Sequence, residues 1–353
     1  MRIGWLAVLC AFFLAPAVAD HGVILLYHHV DEETPASTSV TPAQFSAHLD
    51  YIENNGFVVV PLDELLDGVF GSGDVPDNAV AITFDDAYES VYSTAFPELA
   101  ARGMPFAVFV ATDAVDQGYA ATLSRAQLRE LHDSGLASIG AHSRTHEHLL
   151  RGSEQGSDEA WNDRVSAEID DSVAYLTQAL STEVLSVFAY PYGEYSPALE
   201  ALLAARELFG LAQFSGAVGA ETPRTAIPRF SLSRSQGSLE RLALALDARP
   251  LPVTEIDPGD TLIRGSEQAP GVLGFSLPAD ERYQRERLAC FSASGGALAL
   301  VREADRVTVS LPPLQAGRNK VNCTVPSTER RGEFFWFAQQ WVLADPQGRW
   351  LTQ

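Results

Sequence analysis

Four short stretches of this 353-residue chain carry side chains that hold cations and move protons: His28-His29, Asp85-Asp86, His142 with His146, and Pro191-Tyr192-Gly193. Adjacent carboxylates can divide the work, one binding a metal and its neighbour acting as a base. Taken alone, Asp85 and Asp86 would more often be a turn or a helix N-cap, the commoner fate of Asp after a strand. Two imidazoles four residues apart can share an ion on a helical turn or tight loop. Joined by an Asp from another strand end, they make a His-His-Asp set with open positions for water or substrate. That is the pattern of a catalytic rather than a structural metal site. His148 follows closely, in a segment expected to be exposed.

Each stretch follows an apolar run that reads as a strand. The runs are 23–27, 57–60, 79–84, 106–110, 137–141, 187–189, 211–214 and 227–232. Helical patterns lie between them. One starts at Thr41-Pro42, by the N-cap and N1-proline rule, and ends at Gly56. Others run to about 102–103, from Ser124 to near Gly135, and over 158–180, 197–208 and 239–246. This alternation predicts a parallel β/α fold, and seven or eight units suggest a barrel. A β/α barrel gathers its reacting groups at the C-terminal ends of its strands, so all four stretches would open on one face. The alternation stops near residue 250. Residues 248–260 hold three prolines, and 251–260 reads as a linker between a domain at 20–250 and another at 261–353. Short period-two runs follow at 271–277, 288–292, 297–301, 307–311, 321–325 and 334–342, and they predict a small all-β sandwich-like domain. Aromatics at 334–337 and Trp341 could stack on sugar rings or fill a core.

The chain carries 46 acidic against 24 basic residues, a formal charge of −22. Such a surface repels nucleic acid and anionic lipid but not a neutral or cationic ligand. Arg2, the apolar run 3–14 and Ala17-Val18-Ala19 read as a signal peptide over residues 1–19, cleaved after Ala19. The run is too short to anchor in a membrane, so a periplasmic or extracellular location is expected. In an oxidising compartment the isolated pair Cys290 and Cys323 reads as a disulfide. No His lies beyond Leu149 to join these thiols in a zinc site.

Thr83-Phe84-Asp85-Asp86, His142-x-x-x-His146 and Tyr190-Pro191-Tyr192-Gly193 resemble, in order, the first three motifs of the NodB-homology polysaccharide deacetylases, carbohydrate esterase family 4. The resemblance covers roughly residues 20–250. It implies a distorted (β/α)7 barrel and a hydrolase that removes acetyl groups. It also implies Asp85 as base and Asp86, His142 and His146 as ligands of a divalent metal. Zn²⁺ suits two imidazoles and a carboxylate best, and Co²⁺ or Ni²⁺ would fit the same ligands. The turn at Pro191 and Tyr192 would contact substrate and supply a backbone N–H to the oxyanion.

Two departures qualify the match. Ala189 stands where the third motif usually has Arg, and no late His supplies a general acid. Both departures resemble the poly-β-1,6-N-acetylglucosamine deacetylases of biofilm export systems, whose early Tyr-His element matches Leu25-Leu26-Tyr27-His28-His29-Val30. The stretch 41–65 matches as well. On that resemblance His28 is the acid; the alternative is a strand-end residue bonded to backbone. His29 should point elsewhere. Arg229 either replaces the missing Arg or makes a surface salt bridge. The expected function is N-deacetylation of an N-acetylglucosamine polysaccharide, with the polymer and polysaccharide export machinery as partners. Peptidoglycan, chitin or an O-acetylated glycan as substrate, or a non-catalytic polysaccharide-binding role, are the alternatives.

Overall fold

Runs of apolar residues long enough for a strand but not a helix build the first sheet, with helices packed on it. A computed structural model describes residues 18–19, 21–152, 159–293, 295–345 and 349. The expected signal peptide lies outside the described residues apart from Val18–Ala19, which pair with Val75–Pro76. Strands Phe209–Leu211, Val187–Ala189, Ala137–Ala141, Phe106–Val110, Ala79–Phe84 and His21–Tyr27 lie side by side in that order. They pair in parallel. A return segment joins the two outer strands: Ile227 bridges to Leu211, and Phe230–Ser231 pairs with Leu25 and Leu26. The sheet therefore curls back on itself.

The alternation of strand side chains separates two apolar layers. Val23, Leu25 and Tyr27, with Val80, Ile82 and Phe84, pack beneath helix residues such as Phe45, Leu49, Trp161 and Val165. Ile24, Ala79, Ala81, Ala107, Phe109 and Ala189 belong to the other layer. Along Ala79–Phe84 this second set continues as Thr83 and then Asp85. The layer thus turns from apolar to polar towards the C-terminal end of the strand. The helices Pro42–Asn54 and Arg125–Asp133 open with capping boxes, Thr41 with Gln44 and Ser124 with Gln127. Helix Leu62–Phe70 was not anticipated from the sequence; it buries Leu62, Leu65 and Leu66. No helix among the described residues is long and apolar enough to cross a membrane.

The stretch 251–260 is not a plain linker. Ala248–Pro250 already pairs with Phe334–Ala344, and Thr254–Asp257 pairs with Val272–Ser276. Both are edge strands, where proline costs no ladder hydrogen bond, so the prolines that suggested a linker are compatible with strands. The C-terminal residues form two sheets. One holds Ala248–Pro250, Phe334–Ala344, Gly317–Pro326 and Ala289–Ser292, with Leu262–Arg264 on Phe334–Ala344. The other orders Thr254–Asp257, Val272–Ser276, Arg306–Ser310 and Leu300–Glu303. A shared core of Leu273, Phe275, Val307, Val309, Phe335 and Trp341 joins them. Cys290 and Cys323 lie opposite each other across two strands of the first sheet and form a disulfide. The aromatic run divides by face: Phe335 and Phe337 enter this core, while Trp336 meets Phe230 of the curled sheet at 5.4 Å.

Candidate active site

Asp85 ends the polar side of its strand and is fully buried. A buried carboxylate needs a partner, and Arg229 supplies a bidentate one. Its Nη1 donates to Asp85 Oδ1 at 2.7 Å and its Nη2 to Oδ2 at 2.8 Å. Arg229 is itself wholly buried, held by donation from Nε to the Ala212 carbonyl at 3.0 Å. The surface salt bridge considered for Arg229 is therefore not what forms. Burial alone would raise the Asp85 pKa, but the Arg229 guanidinium and His142 outweigh it and hold the carboxyl below its usual range.

Strict strand alternation would turn Asp86 away from Asp85. Instead the chain leaves the strand with left-handed backbone at Asp86 (φ 70°) and Ala87 (φ 52°). This brings Asp86 Oδ1 to 3.4 Å from His142 Nε2 and 3.0 Å from His146 Nε2. His142 Nδ1 lies 2.7 Å from the Ala189 carbonyl and donates to it, which leaves Nε2 as the lone-pair nitrogen. Ser143 and His146 also have positive φ, and Ser143 Oγ accepts the His146 N–H at 2.9 Å. The three ligand atoms lie within 4.8 Å of one another. Asp86 Oδ1 and His142 Nε2 are buried without hydrogen-bond partners. Buried orphan atoms are costly, and a cation shared by one oxygen and two imidazole nitrogens would satisfy them. The donor set therefore fits a divalent metal.

His28 sits between strands His21–Tyr27 and His29–Val30, within electrostatic reach of Asp86, Asp85, Arg229 and His142. Burial lowers its pKa against the pull of the two carboxylates. His29 stacks on Tyr88 with ring centroids 3.5 Å apart. Tyr88 lies beside Asp86; burial and then that carboxylate raise its phenol pKa. Tyr192 has left-handed backbone (φ 60°) in the short turn Pro191–Gly193. Its ring lies between two imidazoles, 4.7 Å from His146 edge-on and 3.8 Å from His148 in a stack. His148 is buried rather than exposed, because it also donates from Nδ1 to Glu194 Oε2 at 2.8 Å. Gly193 is required where it stands: its φ is +68°, and a Cβ there would lie 2.4 Å from that of Gln213. The Gln213 side-chain amide in turn donates to Asp85 Oδ2 at 3.3 Å.

Sequence reasoning missed several supporting groups. Glu168, on helix Glu159–Leu180, accepts the backbone N–H of Arg144 at 3.0 Å and of Thr145 at 2.9 Å, and so braces the loop between the two candidate histidine ligands. His148, Glu194, Tyr88 and Gln213 join it. One signal was available for Glu168. It falls on the apolar stripe of its helix, three residues after Val165 and beside Ile169, where an unpaired carboxylate would not be tolerated.

The sequence model of the family described as polysaccharide deacetylase matches residues 72–209, which include Asp85, Asp86, His142, His146 and Tyr192 but not His28 or Arg229. The chain is similar to the poly-beta-1,6-N-acetyl-D-glucosamine N-deacetylase of Staphylococcus aureus (strain MRSA252), with 26% identity over 158 residues, 44% of this chain and 54% of the relative. It thus spans about half the length of that relative. Among solved structures, the fold is similar to the Streptococcus pyogenes deacetylase PplD in complex with acetate (TM-score 0.57, 24% identity, 66% of this chain and 99% of that one). It is also similar to IcaB from Ammonifex degensii (TM-score 0.53, 25% identity, 62% of this chain and 95% of that one).

Proposed function

We propose that this enzyme, whose residues 72–209 match the polysaccharide deacetylase family, is an exported, metal-dependent N-deacetylase of poly-β-1,6-N-acetylglucosamine. In this reading the curled sheet is a distorted (β/α)7 barrel, the two C-terminal sheets are a sandwich, and residues 1–19 are removed on export. The observation that carries the proposal is the convergence of Asp86, His142 and His146, with two orphan atoms among them, beside an Asp85 ion-paired to Arg229.

A divalent ion, best Zn²⁺, held by Asp86, His142 and His146 would polarise the acetyl carbonyl and lower the pKa of the attacking water. Asp85 takes the proton of that water. A carboxylate kept this acidic by Arg229 is a weak base, competent only toward a water that has itself been made acidic. Arg229 keeps Asp85 ionised and fixes the direction of its oxygens. The turn at Pro191 and Tyr192 orients the acetyl group and offers a backbone N–H to the developing oxyanion. His28, entering protonated, gives its proton to the amide nitrogen as the C–N bond breaks. Burial disfavours the His28 imidazolium, which makes it a stronger acid when formed and reduces the fraction of enzyme that carries it as pH rises. Acetate and a free glucosamine amine leave.

The test is acetate release from poly-β-1,6-N-acetylglucosamine, chitin oligomers, peptidoglycan and an O-acetylated glycan, with and without chelator. The expected result is acetate with matching free amine from the β-1,6 polymer, lost on chelation and restored by Zn²⁺. Faster turnover of another polymer would move the substrate assignment. Binding without turnover of any of them would make the chain a polysaccharide-binding protein.

A further inference from the structure

The C-terminal sheet reaches the site. Gly317–Pro326 and Phe334–Ala344 are antiparallel neighbours in which Arg318 pairs with Val342 and Lys320 with Gln340. Strand alternation puts Arg318, Lys320, Gln340 and Val342 on one face. Val342, with Ala338 and Ala344 at the same period, packs into the apolar cluster of the curled sheet, so this is the face turned toward it.

The polar groups of that face end on the loops that form the site. Arg318 Nη1 donates to the Tyr192 carbonyl at 2.6 Å, and Gln340 Nε2 donates to the Gly193 carbonyl at 2.7 Å. Lys320 Nζ donates to the Gln213 carbonyl. Thr261, entering the neighbouring strand Leu262–Arg264, donates from Oγ1 to the Tyr195 carbonyl. Gln340 is fully buried, and Lys320 is the single lysine of the chain. Four side chains of the C-terminal unit thus hold carbonyls at 192, 193, 195 and 213. Gln213, packed against Gly193, carries the connection to Asp85 through its amide.

We infer that the Lys320–Gln340 pair makes the C-terminal sheet a positioning element of the active site, setting the Tyr192 turn and Gln213 against Asp85. An appended polymer-binding module needs no such contact. Its residues would face outward, and losing them would weaken capture of long chains rather than chemistry. A positioning element acts on turnover, because small displacements of a site-forming loop cost rate even when the chemical groups are intact. The inference rests on the deacetylase reading for its effect on catalysis, but the placement of the turn can be measured without turnover.

The experiment uses the full chain with Lys320→Met, Lys320→Arg and Gln340→Leu. Three quantities are read: kcat and KM for acetate release from a short N-acetylglucosamine oligomer, bound metal, and hydrogen–deuterium exchange of peptides covering 190–196 and 210–215. Lys320→Met and Gln340→Leu should each lower kcat about 10-fold or more, with KM and metal content near wild type. Exchange should rise in those two peptides and not across the C-terminal unit. Lys320→Arg, which keeps a donor, should recover most of the rate. Unchanged kcat and unchanged exchange would overturn the inference. So would a rise confined to the KM of long polymers, or general loss of protection together with metal. If the wild-type chain releases no acetate from any substrate, the deacetylase reading fails. The exchange of peptides 190–196 and 210–215 then decides alone whether the sheet sets the turn.

Discussion

The mouth of the curled sheet and the C-terminal β unit are built on opposite principles. At the mouth, Asp86, Ala87, Ser143, His146 and Tyr192 all hold left-handed backbone, a conformation that side chains other than glycine adopt at a cost. Asp85 and Arg229 bury opposite charges with no solvent exposure, beside three candidate ligand atoms that lie within 4.8 Å of one another. In the C-terminal unit, positive φ outside glycine is limited to Glu255 and Ala304 among the described residues, and the interior is mainly aromatic, aliphatic and disulfide-bonded, with Glu333 and Gln340 as buried polar exceptions. Strain and buried charge persist only where surrounding structure over-determines them. The contrast shows which half of the molecule is organised for chemistry and which for rigidity, and the contacts of Arg318, Lys320 and Gln340 carry that rigidity to the Tyr192 turn.

The widest separation between the halves lies in activity. Asp86→Ala, His142→Ala and His146→Ala should each lose bound metal and fall to background turnover, measured by metal analysis beside acetate release. Asp85→Asn should keep the metal while kcat falls about 10²–10⁴-fold. If the Asp85 variant lost the ion and the Asp86 variant kept it, the two carboxylates have exchanged roles. No C-terminal substitution should remove metal.

His28→Ala comes next. It should lower kcat toward an amide by about 10²–10⁴-fold with metal unchanged, the range for losing one acid. An aryl acetate ester should suffer less, because phenolate leaves without protonation. Equal slowing of both substrates, or of neither, would end the assignment of His28 as acid. His29→Ala should instead reduce stability through the lost stack on Tyr88.

How legible each half was in the sequence follows the range of its contacts. Asp85-Asp86, His142 with His146, and the Pro191 turn could be read because each is a local pattern directly after an apolar run. The curled sheet was readable because alternating strands and helices leave a periodic trace. Arg229 could be named but its state could not, since its partner lies 144 residues earlier. Glu168, Gln213, Lys320 and Gln340 act on backbone groups of other elements, and a backbone carbonyl carries no residue identity for a pattern to match. His148 was misjudged as exposed because its partners, Glu194 and Tyr192, come from the next strand end. The edge strands around residue 250 were hidden by their prolines.

Stability gives a third comparison, because the two halves are held by different bonds. Arg229→Met leaves Asp85 buried without its partner and should cost about 3–5 kcal/mol in urea unfolding. The double variant Asp85→Asn with Arg229→Met should recover much of that, since no charge stays buried. A double variant as unstable as the single would mean that Arg229 acts through its contact with the Phe109 ring and its hydrogen bond to the Ala212 carbonyl rather than through the ion pair. Cys290→Ala with Cys323→Ala opens a loop with a sequence separation of 33. It should cost about 3–4 kcal/mol on the chain-entropy model. Labelling of the unreduced, denatured wild-type protein should find neither thiol free.

The smallest effect falls where the halves meet. Burial, with some help from Arg318, lowers the Lys320 ammonium pKa to about 8 from the ordinary 10.5. Below pH 8 folded and unfolded chains both carry the proton, and the full cost of the disfavoured charge is present. Between the two values the unfolded chain still binds a proton that the folded chain has released, so stability rises with pH. The ceiling is about 1.4 kcal/mol per pH unit, and the partial exposure of Lys320 to solvent brings the expected slope below that. As no other lysine titrates in this range, the background is unusually clean. Urea unfolding at pH 7.5, 8.5 and 9.5 should show the wild type gaining on Lys320→Met as pH rises. Parallel curves would place the Lys320 ammonium in water, and the C-terminal sheet would then hold the Tyr192 turn through Arg318, Gln340 and Thr261, without the contact to Gln213.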